Sequence, residues 1–426
     1  MNRTKTLCIL VLAAALPAGA RGEDGPLTWR RCVEIASMYN PDLLSSREQV
    51  SQDAAGVGAA RSTLLPQVEA DASVSTGKKM ATSVPGSGDR TNSYSYGITG
   101  RQLLFDGLKS VYDLDSAGKK LSESEYGYLV TSANVRLSLR SAFVRLLRAQ
   151  ESIDLYSRIV KRRRQNLELV KMRYEAGREH KGSLMTAQAS LARGEADAAQ
   201  AARSLVLAQR GLAKEMGLET QSPLAVTGSF QAGEPEAAEP DFVLLVSANP
   251  VLQKMIRQKE IAELGVKSAG AGYYPQVYGF LSADRTGATW PPANTEWQAG
   301  VQATLPLFQG GASYYDVRGR EAALRKARED VRSTRGAVLY TLQQKWIAYR
   351  NALDDAGVQL KFLRAAEERA KIAESQYSIG LIQFDNWIII EDNLVQVQKN
   401  YLDARAGAQV AEAEWIQAKG ETLNYE

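Results

Sequence analysis

Two periods alternate along this chain. From Val68 to Ser75 apolar residues take every second place: Val68, Ala70, Ala72 and Val74 interleave with Glu69, Asp71, Ser73 and Ser75. Tyr94, Tyr96 and Ile98 interleave in the same way with Ser95, Gly97 and Thr99. Trp297, Ala299, Val301, Ala303 and Leu305 do so with Gln298, Gly300, Gln302 and Thr304. Successive side chains of a strand point to opposite faces, so each run predicts a strand with one apolar and one polar face. Strands are expected near Gln67–Gly77, Tyr94–Phe105, Gln276–Asp284 and Trp297–Leu307. The third alternates less cleanly around Tyr278 and Phe280. Turn-rich stretches, Thr82 to Asn92 and Arg285 to Thr295, lie between the strands of each pair and predict two long hairpins.

Elsewhere the period is helical. There is no proline from Gly86 to Ser222 and none after Leu307 to the end. Apolar or aromatic residues recur at sevens: Leu342, Tyr349, Ala356, Leu363, Ala370 and Tyr377, with Trp346, Leu353 and Leu360 as a partner row. That is coiled-coil spacing. Phe308 to Tyr377 would make a helix about 100 Å long, too long for a compact domain. Gly177 and Gly380 break the two long helices, and return helices are expected over Ser183–Met216 and Phe384–Lys419.

The chain is duplicated. Asn40-Pro41 and Asn249-Pro250 stand 209 residues apart, as do Pro66 and Pro275. The Phe105 in "LLFDG" and the Phe308 in "LPLFQGG" are 203 apart, as are Tyr174 in "RYEAG" and Tyr377 in "QYSIG". One six-residue difference inside the hairpins explains both offsets. Asn40 and Asn249 suit helix N-caps, with proline in the first helical position. Pro66 and Pro275 suit the helix ends. The expected organisation is a signal peptide over 1–20, then a first repeat over 21–216 with a β-hairpin at 67–106 and a helical hairpin at 108–216. A linker follows over 217–240. The second repeat, 241–426, carries a β-hairpin at 276–308 and a helical hairpin at 310–420.

Composition narrows the function. Arg3 and Lys5, an apolar run from Leu7 to Leu16 and Ala18-Gly19-Ala20 have the order of a secretory leader. Without it the chain holds 50 basic and 48 acidic residues, which speaks against a nucleic-acid partner. No later segment offers about 18 consecutive apolar residues, so no membrane-spanning helix is expected. Cys32 is the sole cysteine after the leader and His180 the sole histidine. Neither a thiolate or imidazole metal site nor a catalytic pair is expected, and no cofactor. Cys32 reads as a buried small residue. "KRRRQ" (Lys161 to Gln165) reads as a solvated helix face, since Glu168 and Glu175 follow it. Tyr94, Tyr96, Tyr273 and Tyr274, near strand ends, fit an interfacial aromatic belt.

Alternating strands of about ten residues are the signature of an outer-membrane barrel. Four cannot close one, because an open sheet edge does not sit in lipid and closed barrels begin at about eight strands. The barrel must be shared between subunits. With the "NPDL" and "NPVL" helix starts, "PQV" before the first strand of each pair, "LFDG" and "LFQGG" after the second, and "RYEAG" and "QYSIG" at the helical tips, the chain resembles the TolC family of outer-membrane efflux channels. The resemblance implies a mixed α/β membrane protein in which long α-helical hairpins form a periplasmic tunnel. Four strands per chain would enter a twelve-stranded barrel shared by a homotrimer. It also implies an exit duct for efflux or type I secretion, a periplasmic adaptor and an inner-membrane transporter as partners, and contact with outer-membrane lipid. The family's tips meet the adaptor, which points to Ala176, Gly177, Ile379, Gly380 and Leu381. The tunnel must narrow there, so the gate is expected among Arg178 and Lys181 of the first tip and Asp385, Asn386, Glu391 and Asp392 of the second, with Asp385 facing Arg178. This chain departs from the family in two places: no cysteine stands at the expected mature N-terminus for acylation, and Ile389 takes the place of an aspartate common early in the last helix.

The competing reading is a periplasmic coiled-coil adaptor or scaffold, which would share the helical hairpins but has no use for paired strands with an apolar face. No residue constellation supports an enzyme.

Overall fold

The computed structural model describes residues 25–78, 90–219, 223–230, 232–233 and 239–424. The expected leader, most of the first hairpin tip and part of the linker lie outside the described residues. The first repeat runs α1 (Trp29–Tyr39), α2 (Pro41–Ser62), β1 (Gln67–Lys78), β2 (Arg90–Phe105), α3 (Lys109–Glu175) and α4 (Lys181–Met216). The second runs α5 (Phe242–Ala248), α6 (Pro250–Ala271), β3 (Gln276–Gly287), β4 (Asn294–Thr304), α7 (Ala312–Ser378) and α8 (Phe384–Lys419). Both long helices have 67 residues, about 100 Å each at 1.5 Å per residue. Each is flanked by two shorter helices laid end to end: α2 and α4 along α3, α6 and α8 along α7.

The ends of those shorter helices meet at a duplicated joint. Sequence periodicity marks Asn40 and Asn249 as helix starts but does not separate α1 from α2 or α5 from α6. Each asparagine closes one helix and opens the next. The Asn40 backbone N–H donates to Ala36 O (2.9 Å), its Oδ1 accepts from Leu43 N (3.0 Å), and its Nδ2 donates to Glu215 O at the end of α4 (2.9 Å). Asn249 does the same with Val246 O (3.2 Å), Val251 N (3.0 Å) and Ala418 O near the end of α8 (2.9 Å). Gly217 and Gly420 complete the joints. Both have left-handed backbones, φ +77° and +86°, the usual stop for a helix. A Cβ on Gly217 would lie 2.0 Å from Tyr39 O, and one on Gly420 2.4 Å from Pro250 Cδ. Only glycine fits either place.

The core is concentrated around these joints. Cys32, Leu139, Phe143, Leu146, Leu212 and Met216 bury one cluster; Phe242, Leu342, Trp346, Tyr349 and Trp415 bury another. Burial pushes the Cys32 thiol up to about 12, so it behaves as a small apolar residue. The described part of the linker crosses this level as a strap. Leu27 N donates to Ala225 O, Thr227 N to Leu27 O, and the Gln150 amide pairs with both backbone groups of Val226.

The four strands form one antiparallel sheet in the order β1-β2-β3-β4. The register puts Val68, Ala70, Ala72 and Val74 on one face with Tyr94, Tyr96, Ile98, Leu281, Ala283, Trp297, Ala299 and Val301. Val68, Ile98, Leu281, Trp297 and Val301 are exposed there, nothing among the described residues covering them. The other face carries Glu69, Asp71, Thr99, Arg101, Asp284, Glu296 and Gln298. β3 alternates poorly in sequence because Tyr278 and Phe280 lie on this polar face. Phe280 covers Gly300, where a Cβ would come within 2.9 Å of its ring, and the Arg101 guanidinium stacks 3.8 Å from the Tyr278 ring centroid. β3 also extends past Asp284 to Gly287, bringing Arg285 onto the apolar face at its outer rim, opposite Tyr96 and Thr295. Tyr94 and Tyr96 pack against Trp290 of the second hairpin tip, while Tyr273 and Tyr274 stand exposed at the helical end.

The joint is testable. Asn40→Ala and Asn249→Ala each remove a cap and a buried tie, and each lowers stability by about 1–2 kcal/mol. Gly217→Ala costs more than either, because a left-handed backbone and a backbone clash coincide. Thermal unfolding of the purified protein in detergent measures the order. A neutral Gly217→Ala would mean that the joint does not hold α1 and α4 together.

Candidate functional site at the helical tips

The two long helices stop in the same way. At the first turn Gly177 N donates to Tyr174 O (3.0 Å) and Arg178 N to Arg173 O (2.8 Å); at the second, Gly380 N donates to Tyr377 O (3.0 Å) and Leu381 N to Gln376 O (2.8 Å). Gly177 and Gly380 sit at φ +68° and +84°, so each turn is a glycine-terminated helix end that satisfies its own carbonyls. His180 then caps α4, its Nδ1 accepting from Ser183 N at 3.2 Å.

The repeats diverge in what they do with their matching tyrosines. Tyr174 is exposed, whereas Tyr377 is fully buried. The Tyr377 ring stacks on Trp387 with centroids 4.2 Å apart and planes 9° from parallel, and Phe384 packs edge-on to both. From the first repeat the Arg173 guanidinium covers the same ring at 4.6 Å, and its Nη1 donates to Tyr377 O at 2.8 Å. The Tyr377 hydroxyl donates to Glu179 Oε2 at 2.9 Å, and Ser183 Oγ donates to Glu179 Oε1, also at 2.9 Å. The two tips are therefore bolted together through one tyrosine. Burial pushes the Glu179 carboxyl up, but the hydroxyls of Tyr377 and Ser183, the His180 N–H and the neighbouring imidazole outweigh it and hold the group below the usual carboxylate range. Burial, with Glu179 beside it, raises the Tyr377 phenol.

About 20 Å along α3 from the first turn lies a second tie. Arg162 grips Glu391 of α8 with two hydrogen bonds, Nε to Oε2 at 2.6 Å and Nη2 to Oε1 at 2.7 Å. Asn166 Nδ2 adds a third at 3.1 Å, Arg162 also reaches Glu374 at 3.3 Å, and Arg163 pairs with Asp392. Glu391 is 1% exposed. The hydrogen bonds it donates to Glu391 raise the Arg162 guanidinium further above its ordinary value. "KRRRQ" is thus only partly the solvated face expected. Lys161, Arg164 and Gln165 face solvent, but Arg162 and Arg163 turn inward because α8 brings two carboxylates to that side of α3.

The sequence-predicted site residues fall into two groups. Ala176, Gly177, Ile379, Gly380 and Leu381 are exposed together on the turns, and Ile379 and Leu381 are 72% and 71% exposed. Asp385, Asn386, Arg178 and Lys181 are also exposed at the tip. Arg178 and Asp385, expected side by side around the mouth of a trimer, form no ion pair with one another within the single chain among the described residues, where the link between the tips runs through Arg173, Tyr377 and Glu179. Glu391 and Asp392 lie deeper and are engaged by α3 of the same chain. The residues that sequence reasoning missed each carried a weak signal. Tyr377 stood in the heptad row and read as core. Arg173 and Glu179 flank the "YEAG" turn but look like ordinary surface charges.

Two outcomes check the ties. Arg162→Ala leaves a buried carboxylate without its cation and costs about 3 kcal/mol, whereas replacing both partners by Met and Leu recovers most of that loss; thermal unfolding reads the difference. Because the Glu179 pKa is depressed in the folded protein, its stabilisation is complete above the ordinary glutamate value of about 4.3 and is lost as pH falls through the lower folded value. Hydrogen-exchange protection at Gly380 and Leu381, corrected for the intrinsic pH dependence of amide exchange, should fall as pH drops below the ordinary glutamate value of about 4.3, and Glu179→Gln should abolish that pH step.

The arrangement of barrel-type strands, paired 100 Å helices and tied tips has close counterparts. The sequence pattern of the outer membrane efflux protein family matches residues 33–218 and 243–421. The chain is 25% identical over 422 residues to the outer membrane protein TolC of Vibrio cholerae, covering 94% of this chain and 92% of that one. Among solved structures, a membrane protein from Pseudomonas aeruginosa superposes with a TM-score of 0.82 at 16% identity, covering 92% of this chain and 93% of its own. The Campylobacter jejuni CmeC outer membrane channel does so with 0.80 at 16% identity, over 93% and 87%. These matches span both repeats and the sheet, which a periplasmic adaptor or scaffold does not account for. Sequence and fold agree that this chain belongs to the outer membrane efflux protein family, a family of ducts rather than enzymes.

Proposed function

We propose that three copies of this chain close a twelve-stranded barrel and form the exit duct of a tripartite efflux or type I secretion system. The observation that carries the reading is the open sheet: β1 and β4 each have an unpaired edge, on strands whose apolar face is uncovered. In lipid such edges are satisfied only by closure, and identical copies supply it by pairing β4 of one with β1 of the next. A second uncovered surface supports the same assembly. Tyr340, Ile347, Val358, Phe362 and Ile372 of α7 are exposed and fall within about 80° of one another around the helix, a stripe suited to a neighbouring copy. The polar face of the sheet, with Glu69, Asp71, Asp284 and Glu296 against Arg101, would line the lumen.

At the other end the tips are the proposed mouth and docking surface. Ile379 and Leu381, with Ala176, Gly177 and Gly380, give an apolar, close-approach surface for the helical hairpin of a periplasmic adaptor, which links the duct to an inner-membrane transporter. The Tyr377 bolt and the Arg162–Glu391 tie hold α8 against α3 and so keep the mouth narrow. Asp385, Asn386, Arg178 and Lys181 set the charge at its rim.

Native mass spectrometry and planar-bilayer recording test the assembly and the gate. The expected species is a trimer with low basal conductance, and Tyr377→Phe and Glu391→Gln should each raise that conductance severalfold while trimers persist. A folded, channel-forming monomer would overturn the assembly, and unchanged conductance in both variants would place the constriction elsewhere. Replacing both Gly177 and Gly380 by Trp should abolish export while leaving trimers and conductance in place; normal export would remove the tips from adaptor docking.

A further inference from the structure

Where the sheet gives way to the helices, one feature breaks a local rule. Leu108 has φ +69° and ψ +13°, a left-handed conformation for a bulky side chain, and it is 51% exposed. The second repeat puts Gly311, φ +87°, in the matching place. Glycine adopts this backbone without steric penalty, so the leucine is retained against its own conformational preference. The turn around it is rigid. Asp106 is buried and accepts from Ser110 N (2.8 Å) and Ser110 Oγ (2.5 Å), while Gly107 lies so close to Tyr274 that a Cβ would come within 2.6 Å of it. Among the described residues nothing covers the leucine.

Leu108 forms one wall of a crevice of about 410 Å³, whose other walls are Phe105, Tyr112, Tyr274, Lys267 and the Gly270–Ala271 end of α6. Phe105 pairs with Val277 and continues the apolar face of the sheet into it. Phe105 and Tyr274 are both exposed. On the barrel assembly proposed above, on which this inference rests, the crevice extends the lipid-facing band at its periplasmic edge. Two lysines stand nearby. Lys109 is neutralised by Asp113 at 2.9 Å. Lys267 has no ion pair among the described residues, and its ammonium lies 5.9 Å from the centroid of the Tyr112 ring. It lines the crevice from a position four residues, about 6 Å along the helix, before the end of α6. The headgroup layer of a bilayer leaflet is about 5–8 Å deep. An apolar crevice at the hydrocarbon edge with one uncommitted cation at headgroup depth matches one ligand chemistry, acyl chains joined to an anionic phosphate headgroup.

We propose that this crevice binds an anionic phospholipid of the periplasmic leaflet. Lys267 meets the headgroup phosphate, and Phe105, Leu108 and Tyr274 hold the upper methylenes of the acyl chains. The strained leucine is kept for the lipid it covers.

Native mass spectrometry of the full chain in detergent, with phosphatidylglycerol and phosphatidylethanolamine of matched acyl chains, tests the site. Wild type should retain one phosphatidylglycerol per chain in preference to phosphatidylethanolamine. Lys267→Ala should weaken that retention about fivefold, the effect of one lysine near an anionic surface. Leu108→Gly should relieve the backbone and still lower retention. Equal retention by either variant, or equal retention of the two lipids by wild type, would overturn the proposal. A parallel arm with lipopolysaccharide separates the leaflets: selective loss of lipopolysaccharide in Lys267→Ala would also overturn it. Conductance of the same samples reports on the duct independently of the lipid.

Discussion

An unpaired strand edge cannot rest in hydrocarbon, because each free N–H and C=O there lacks any partner. Among the described residues this chain has four strands and two such edges. The constraint makes the monomer an incomplete object, and much of its surface reads differently once that is recognised. In the assembly proposed above, the exposed apolar sheet face is the lipid surface, the uncovered stripe on α7 is a seam between copies, and the polar sheet face, with glycines covered by Phe280 and Asp284, is a lumen wall. Duplication is an economical answer to the same constraint, since one helix–hairpin–helix unit repeated within the chain halves the number of copies needed for closure.

The helices face a different problem. Two rods of 67 residues have no compact core, so their stability is spread along thin seams. The joints at Asn40 and Asn249 convert four shorter helices into two continuous flanking rods, and the largest buried clusters gather around them. Each asparagine satisfies groups from three helix ends at once, which is why it is 3% exposed despite its polarity. The described linker segments bind this level further through Gln150 and Val226.

Symmetry between the repeats is strict in the turns and the joints and is broken where the chain must act. Tyr174 and Tyr377 occupy matching turns, but only Tyr377 is buried between the tips. Leu108 and Gly311 occupy matching helix starts, but only Leu108 is strained. The Arg162–Glu391 tie has its acid on α8 and its base on α3, so it too links unlike halves. A structural duplication needs equal parts. The gate proposed above needs interfaces of unequal strength at the mouth, and the Tyr377 and Arg162–Glu391 contacts would supply them.

The amino-acid sequence by itself determined the duplication, the four strands and their faces, the lengths of the helices and the glycine-ended turns. These features rest on local physics: period two against period 3.6, proline as a stop, glycine as a left-handed cap. The alternation of Val68 to Val74 and the heptads of α7 were legible for that reason. The resemblance to a known family came from the same landmarks, taken in order. Tertiary structure alone decided which charges meet. Arg162 and Glu391 are 229 residues apart in the chain, and no spacing rule links them, since the pairing depends on how α8 crosses α3. Within one chain the contact between the tips is likewise long-range in sequence, Tyr377 to Glu179 across 198 residues. Burial of the Tyr377 ring between the two turns, with Arg173 and Glu179 on either side of it, is what selects these residues for the contact.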